Sequence, residues 1–207
     1  MTATRLDLTK QFPELYSAGR EPALLEVPES SFLMVDGHGD PNVSPAYAHA
    51  VEALYSVSYT LKFALKRGPH QLDHRVMPLE GLWWVPDTVR FSTTPKADWN
   101  WTMMIRQLDE VDQDLFAAAV RDVSSRKAVP AAPLLRLARF GDGLAAQVLH
   151  IGPYAAEGPT IQRLHAFISE HGYGLTGKHH EIYLGDPRRA APERLRTILR
   201  QPVVRSG

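Results

Sequence analysis

The same order of predicted elements occurs twice along the chain, and this order constrains the fold more than any single motif. Residues 34–41 read as the end of a strand and a turn containing glycine and proline, and a helix and a strand with a central glutamate, Glu80, follow. Residues 149–153 begin the same series, which ends in a strand around Glu181. The identity between the two series is too weak for a sequence repeat, so we expect a structural pseudo-repeat of two β-α-β-β units.

Apolar residues at intervals of three or four predict the helices of both units. The first is a long amphipathic helix over residues 44–66, which a Ser-Pro pair opens and a Gly-Pro pair closes. Further helices are predicted over residues 109–126, over residues 160–171, and from Pro192 with Leu195, Ile198 and Leu199 facing inward.

Apolar and β-branched runs between turn residues predict the strands. They comprise two short strands from Ala23 broken at Pro28, strands at 76–85 and 99–107, and a hairpin of 134–140 and 144–151 across Gly141-Asp142-Gly143. We therefore predict an α+β fold: a tandem β-α-β-β pseudo-repeat with two antiparallel sheets and helices on one side. A ligand cleft would lie between the halves, where the sheet faces opposite the helices meet.

The proline- and alanine-rich residues 127–133 mark the predicted boundary between the halves. We expect residues 1–22 to form an arm that packs on the body, and residues 23–207 to form one domain. Its first half would cover about 23–126 and its second half about 133–203.

An acid and a phenol stand side by side in the strand around Glu181. Alternation places Ile182 and Leu184 on one face, which requires a core, and Glu181 and Tyr183 on the other. Two interpretations stay open for this second face: a solvated surface, or the wall of a site.

All four tryptophans lie between Trp83 and Trp101, close to Glu80. In a regular strand Glu80 and Trp84 share a face, whereas a bulge at Gly81 would bring Trp83 to Glu80 instead. Core packing is the ordinary role of a tryptophan. An acid beside an indole, however, is also what a planar, apolar or cationic organic ligand needs, through stacking and cation–π attraction.

Glu80 and Glu181 in a poorly hydrated cleft would perturb each other. Desolvation raises the pKa of each, and the like charge raises that of one further. A glutamate so tuned can act as a general base on water, and Tyr183 or Tyr154 can donate a proton or a hydrogen bond to a developing oxyanion.

Composition argues against several classes of function. Lys plus Arg and Asp plus Glu both count 23, and this balance disfavours nucleic acid or an anionic membrane as a partner. The chain has no cysteine, no leader-like segment and no membrane-spanning run, so we expect a cytoplasmic protein. The nine histidines include no HExxH or HxH arrangement, and no nucleotide-binding glycine motif occurs, so neither a metal nor a cofactor is expected. The oligomeric state stays open.

Several segments resemble a known family: SFLMVDGHGDPN, EALYSVSYTLKFALKRG, VMPLEGLWWV, HIGPY and GKHHEIYLGDPRRAAPERLRTILRQPV. Together they resemble the stand-alone GyrI-like small-molecule-binding proteins over Ser31 to Val203. The resemblance implies a tandem pair of SHS2 modules with a ligand cleft between them. The wider family includes effector-binding domains of multidrug-responsive transcription activators, in which an acidic residue meets cationic aromatic drugs, and Glu181 matches that position best.

The stand-alone branch also contains hydrolases that open the cyclopropane of duocarmycin-like DNA-alkylating toxins. By this resemblance Glu181 would activate or orient water, and Tyr183 or Tyr154 would support the oxygen that becomes a phenol. The flat alkylating unit would stack on Trp83, Trp84 and Trp101. We expect a protein that binds flat aromatic xenobiotics and detoxifies them by hydrolysis; the alternative is a drug-binding or sensing module without turnover, and gyrase modulation is a distant third.

Overall fold

The computed structural model describes residues 5–85, 95–186 and 189–207. This part of the chain has a mixed α/β fold with nine strands and five α-helices. The strands are β1 (Ala23–Val27), β2 (Ser30–His38), β3 (Leu79–Trp84), β4 (Asn100–Arg106), β5 (Arg136–Phe140), β6 (Gly143–Ile151), β7 (Tyr173–Leu175), β8 (His179–Tyr183) and β9 (Arg196–Arg205). The helices are α1 (Leu8–Gln11), α2 (Pro13–Tyr16), α3 (Pro45–Arg67), α4 (Gln113–Arg126) and α5 (Gly158–Glu170).

The strands form one antiparallel sheet rather than two. Its order is β1-β6-β9-β8-β3-β4-β2-β5, and β7 pairs with the end of β9. The run β6-β9-β8 continues into β3-β4-β2 through the pairing of β3 with β8. The expectation of two separate sheets is therefore wrong, because main-chain hydrogen bonds continue across the junction.

The sheet is strongly curled, because short links join its two ends. β1 lies at one end of the order and β2 near the other, yet only Pro28 and Glu29 separate them in sequence. Gly141 and Asp142 alone join β5 to β6 in the same way. A Cβ atom at Gly141 would lie 2.7 Å from the backbone nitrogen of Glu29, so the two links are in contact. The sheet therefore forms an antiparallel half-barrel.

The predicted hairpin of residues 134–140 and 144–151 is wrong. β5 pairs with β2, whereas β6 pairs with β1 and β9. The Gly-Asp-Gly sequence is typical of a tight hairpin turn, but here it carries the chain from one end of the curled sheet to the other.

The predicted C-terminal helix is also wrong. Residues Pro192–Arg194 form a single 3-10 turn, and β9 follows. Ile198 and Leu199 are both fully buried although they point to opposite faces, since β9 lies inside the sheet with both faces covered. A strand of this kind gives a continuous apolar run, which periodicity alone does not separate from a buried helix.

The helices α3 and α5 cover one face of the sheet, here called the helix face. α3 packs on β2 and β4 and buries Leu54 and Leu61, and α5 packs on β6 and β9 and buries Leu164 and Ile168. Among the described residues, no helix is long and apolar enough to cross a membrane.

The opposite face lies inside the curl and is here called the inner face. Asp142, in the link between β5 and β6, contacts His180 and Arg200 of the central strands, so the sheet curls toward this face. Helix α2 closes it: Leu15 and Tyr16 are buried, and Arg200 donates a hydrogen bond to the Leu15 carbonyl.

Candidate functional site

Glu181 lies at the centre of the sheet, on the helix face. In β8 it pairs with Gly81 of β3 on one side and with Leu199 of β9 on the other. Directly paired residues share a face, and Leu199 packs in the cluster beneath α5, so the Glu181 side chain points toward the helices. Only 8% of Glu181 is exposed, which excludes a solvated surface role. The site therefore lies on the helix face, not on the opposite face where we expected the cleft.

A chain of hydrogen bonds fixes the Glu181 carboxylate. The Trp83 indole Nε1 donates to the Tyr183 hydroxyl (3.0 Å), which donates to Glu181 Oε2 (2.8 Å). His179 Nε2 lies 3.4 Å from Glu181 Oε1. Burial and the Glu181 charge raise the pKa of Tyr183 well above its usual value, so this hydroxyl keeps its proton and remains a donor.

Gly81 makes room for this hydrogen-bond chain. A Cβ atom at Gly81 would lie 2.8 Å from Trp83 Nε1 and 3.1 Å from the Tyr183 hydroxyl. The pairing of β3 with β4 and β8 is continuous through Gly81, without a bulge. Of the two alternatives that the sequence left open, the regular strand is correct: Trp83 points to the helix face and Trp84 to the inner face.

Aromatic side chains surround Trp83. Tyr47 of α3 stacks on it, with ring centroids 6.1 Å apart and an interplanar angle of 27°, and Trp99 meets it edge-on at 5.7 Å. Trp101 contacts Tyr47 edge-on at 5.4 Å, but only 1% of Trp101 is exposed. Tyr47 and Trp99 are half-buried, whereas Trp101 is a core residue that packs against Tyr47.

A second carboxyl group, Glu157, lies near Glu181. Glu157 immediately precedes α5 and is only 5% exposed. Burial and the charge of Glu181 raise the pKa of Glu157 to about 9. Its Oε1 atom has no hydrogen-bond partner among the residues that the structure describes. At neutral pH Glu157 is therefore a protonated carboxylic acid beside Glu181.

Tyr154 completes the site from the turn before α5. Its ring lies edge-on to Tyr183 at a centroid distance of 5.5 Å. Burial raises the pKa of Tyr154 to about 12, and the charges of Glu157 and Glu181 add to the effect. The half-buried hydroxyl therefore stays protonated and can donate a hydrogen bond to a ligand.

The structure does not bring Glu80 and Trp84 to this site. Both lie on the inner face, where Trp84 is covered by the Lys178 ammonium at 3.3 Å from the ring centroid. We expected Glu80 and Glu181 to perturb each other's pKa. The carboxyl group whose pKa is raised by the Glu181 charge is instead that of Glu157.

Glu80 belongs instead to a buried ionic chain on the inner face. His180 lies between Glu80 Oε2 (3.0 Å) and Asp142 Oδ2 (2.7 Å), and the Tyr16 hydroxyl donates to Glu80 Oε1 (3.1 Å). Burial alone would lower the pKa of His180, but the charges of Asp142 and Glu80 raise it above its usual value. This chain joins α2, β3, β8 and the β5–β6 link, so its role is to hold the half-barrel together.

Sequence reasoning missed Glu157, Tyr47, Trp99 and His179 as members of the site. Glu157 stands directly before Gly158 at the start of a helix, where an acid is ordinarily explained by the helix dipole. Glu157 follows Tyr154 by three residues, and this spacing places both side chains on the same side of a helical turn. It could have indicated that Glu157 lies near the predicted site residue Tyr154. Their placement beside Glu181 depends on the sheet order, which the sequence does not reveal.

Within residues 5–85, 95–186 and 189–207, no group of three His, Asp or Glu side chains is placed to hold a metal ion.

Residues 20–204 match the family model described as a GyrI-like small molecule binding domain. Two crystal structures from Listeria innocua are similar: an uncharacterized conserved protein with 38% identity and a TM-score of 0.89, and a hydrolase with 37% identity and a TM-score of 0.85. Each alignment covers 97% of this chain and 100% of the other. The EcmrR C-terminal domain shares the fold at 12% identity and a TM-score of 0.55, over 89% of this chain and 98% of that one. A comparison with curated proteins gives no match.

Proposed function

Because the chain belongs to the family of GyrI-like small-molecule-binding domains, we propose that it binds flat aromatic molecules beside Glu181 and hydrolyses those that carry an activated cyclopropane. The observation that carries the proposal is the buried pair of Glu157 and Glu181. A cationic ligand needs only negative charge, whereas the addition of water needs a base and an acid in one site. The hydrolase from Listeria innocua, at 37% identity, supports the same class of reaction.

The aromatic side chains provide the binding energy for a flat ligand. Tyr47 and Trp99 lie at different angles against the buried Trp83, and each ring pair that one of them forms with a ligand contributes about 0.5–1.5 kcal/mol beyond area burial. We further propose that the chain consists of two β-α-β-β units of the SHS2 type, related by a pseudo-twofold axis, with this site where they meet. In a cytoplasmic location the protein could bind and hydrolyse an alkylating toxin before the toxin reacts with DNA.

The reaction begins with water held by Glu181. As the water oxygen bonds to the unhindered cyclopropane carbon, Glu181 accepts a proton from it. The carbon–carbon bond of the ring breaks, and its electron pair passes through the conjugated ring to the carbonyl oxygen. That oxygen takes the Glu157 proton and becomes a phenol. The proton on Glu181 then returns to Glu157, so each cycle consumes one substrate and one water and releases no proton.

The tyrosines take different parts in this scheme. The Tyr183 hydroxyl already donates a hydrogen bond to Glu181 and accepts one from the Trp83 N–H, so it positions the base. Tyr154 is then the tyrosine that donates a hydrogen bond to the carbonyl oxygen as negative charge develops there.

The test is incubation of the purified protein with a cyclopropane-bearing duocarmycin analogue, with mass spectrometry of the hydrated product. We expect many turnovers in the wild type and a loss of about 10²–10⁴-fold in Glu181→Gln. Glu170→Gln is the matched control, because Glu170 is an exposed glutamate at the far end of α5. Hydration at an equal rate in wild type and Glu181→Gln would refute the role of Glu181.

A drug-binding or sensing module without turnover is the second candidate, and the description of the family as small-molecule binding favours it. Saturable quenching of tryptophan fluorescence by the analogue, without any hydrated product, would establish this alternative. The search would then move to the partner that responds to the bound state, with gyrase supercoiling as one assay.

A further inference from the structure

We propose that the same site hydrates aryl epoxides to 1,2-diols, an activity that rests on the acid and base roles proposed above for Glu157 and Glu181. Epoxides and activated cyclopropanes share a strained three-membered ring with an electrophilic carbon. They differ in the atom that receives the electron pair when the ring opens. This atom determines how strongly the reaction depends on a proton donor in the site.

In both reactions an oxygen atom receives the electron pair of the broken bond. That oxygen needs a proton more when an epoxide opens than when a conjugated cyclopropane opens. Ring opening of the cyclopropane gives a phenolate, whose conjugate acid has a pKa of about 10. Epoxide opening gives an alkoxide, which is nearly as basic as hydroxide, whose conjugate acid has a pKa of about 15.7. Without a proton donor at the ring oxygen, the epoxide reaction is therefore much less favourable.

Glu157 has the features that such a donor requires. It is 5% exposed, so its neutral form is favoured, and its Oε1 has no hydrogen-bond partner among the residues described. Glu181, on the neighbouring β8, has its carboxylate held by Tyr183 at 2.8 Å. An acid with an unused oxygen and a fixed base are thus available to one small substrate. The cyclopropane reaction alone would make less use of a carboxylic acid.

The step balances without any further reactant. The water oxygen bonds to one ring carbon, the bond from that carbon to the ring oxygen breaks, and the electron pair goes to the ring oxygen. The ring oxygen takes the Glu157 proton and Glu181 takes a proton from water. Transfer of that proton from Glu181 to Glu157 restores the site, so epoxide and water give a diol.

The ring contacts select the substituent on the epoxide. Tyr47 and Trp99 pack against the buried Trp83 and are themselves half-buried, so the ring surfaces that they leave uncovered are the aromatic surface available to a flat aryl group. Styrene oxide is the smallest simple probe that joins an aryl group to an epoxide. An aliphatic epoxide of equal size offers no ring for these contacts and should react more slowly.

The experiment measures two reactions in parallel: diol formation from styrene oxide and phenol formation from a spirocyclopropyl cyclohexadienone. We expect wild-type protein to form both products and Glu181→Gln to lose both. Glu157→Gln should lower diol formation by about 10²–10⁴-fold and phenol formation by a smaller factor, since glutamine donates a hydrogen bond but no proton. Glu170→Gln should match the wild type in both reactions.

Four outcomes decide between the hypotheses. Phenol without diol from the wild type overturns the epoxide inference and leaves the proposed function intact, whereas the absence of both products overturns both. Equal diol formation by wild type and Glu157→Gln also overturns the inference. If Glu157→Gln does not fold, as judged by circular dichroism, the wild-type profile provides the test: diol formation should fall above about pH 9, where Glu157 loses its proton, and a flat profile there contradicts the assignment.

Discussion

Replacement of Glu157 by glutamine should make the protein more stable at neutral and alkaline pH. In the unfolded chain the carboxyl group has its ordinary pKa of 4.5, whereas burial and the Glu181 charge raise the pKa to about 9 in the folded protein. Between these values the folded state binds one proton more than the unfolded state. The free energy of unfolding therefore falls by about 1.4 kcal/mol for each pH unit.

The sign follows from the raised pKa. The contribution of Glu157 is fully present below its unfolded pKa of 4.5 and is lost progressively as the pH rises to about 9. Glutamine binds no proton, so Glu157→Gln lacks this slope. Between about pH 5 and about pH 8, the wild type should lose about 4 kcal/mol of stability relative to the variant. That is a large fraction of the ~5–15 kcal/mol that stabilises a typical domain.

Urea unfolding followed by tryptophan fluorescence measures the effect at both pH values. The comparison of wild type with Glu157→Gln cancels the histidines and other groups that titrate in the same range. Glu170→Gln, an exposed glutamate of α5, should keep the wild-type slope. If the stability curves of wild type and Glu157→Gln run parallel from about pH 5 to about pH 8, Glu157 does not carry a proton in the folded state and the acid role fails with it.

Three further substitutions, the last with a matched control, probe other parts of the structure. Tyr183→Phe removes the hydrogen bond to the base and should lower kcat about 10- to 100-fold with little change in KM; a change in KM alone would instead indicate a ligand contact. His180→Ala leaves two buried carboxylates without their partner and should cost about 3–5 kcal/mol in urea unfolding, and a loss below 1 kcal/mol would contradict the ionic chain on the inner face. Gly37→Ala places a Cβ atom 2.0 Å from the Trp101 ring and should cost about 1–3 kcal/mol in thermal unfolding, whereas Gly158→Ala meets nothing within 4 Å and should melt like the wild type.

Local patterns in the sequence predicted most of the elements. The predicted helix over residues 44–66 is α3 (Pro45–Arg67), and the alternation around Glu181 correctly put Tyr183 on its face. Each of these patterns reflects a single helix or strand and the side of it that is buried. The prediction failed at β9, since Ile198 and Leu199 are buried on opposite faces, a pattern that a buried helix also gives.

Which residues form the site depends on strand pairing between distant parts of the chain, and local sequence patterns do not reveal this pairing. Glu80 and Glu157 are both glutamates near an aromatic residue, and only the register of β3 and the placement of α5 decide which of them is near Glu181. One residue of register moves a side chain to the other face. Glu80 and Trp84 were therefore predicted with the right chemistry but on the wrong side of the sheet.

The strand order has a consequence for synthesis on the ribosome. β8 and β9, which lie in the middle of the sheet, are synthesised after β3 and β6, the strands on either side of them. Until they emerge, β3 lacks its neighbour β8 and β6 lacks its neighbour β9, so each has one unpaired edge. Until β8 and β9 are made, the nascent chain therefore exposes two unpaired strand edges that can self-associate. A chaperone that shields such edges should raise the yield of folded protein.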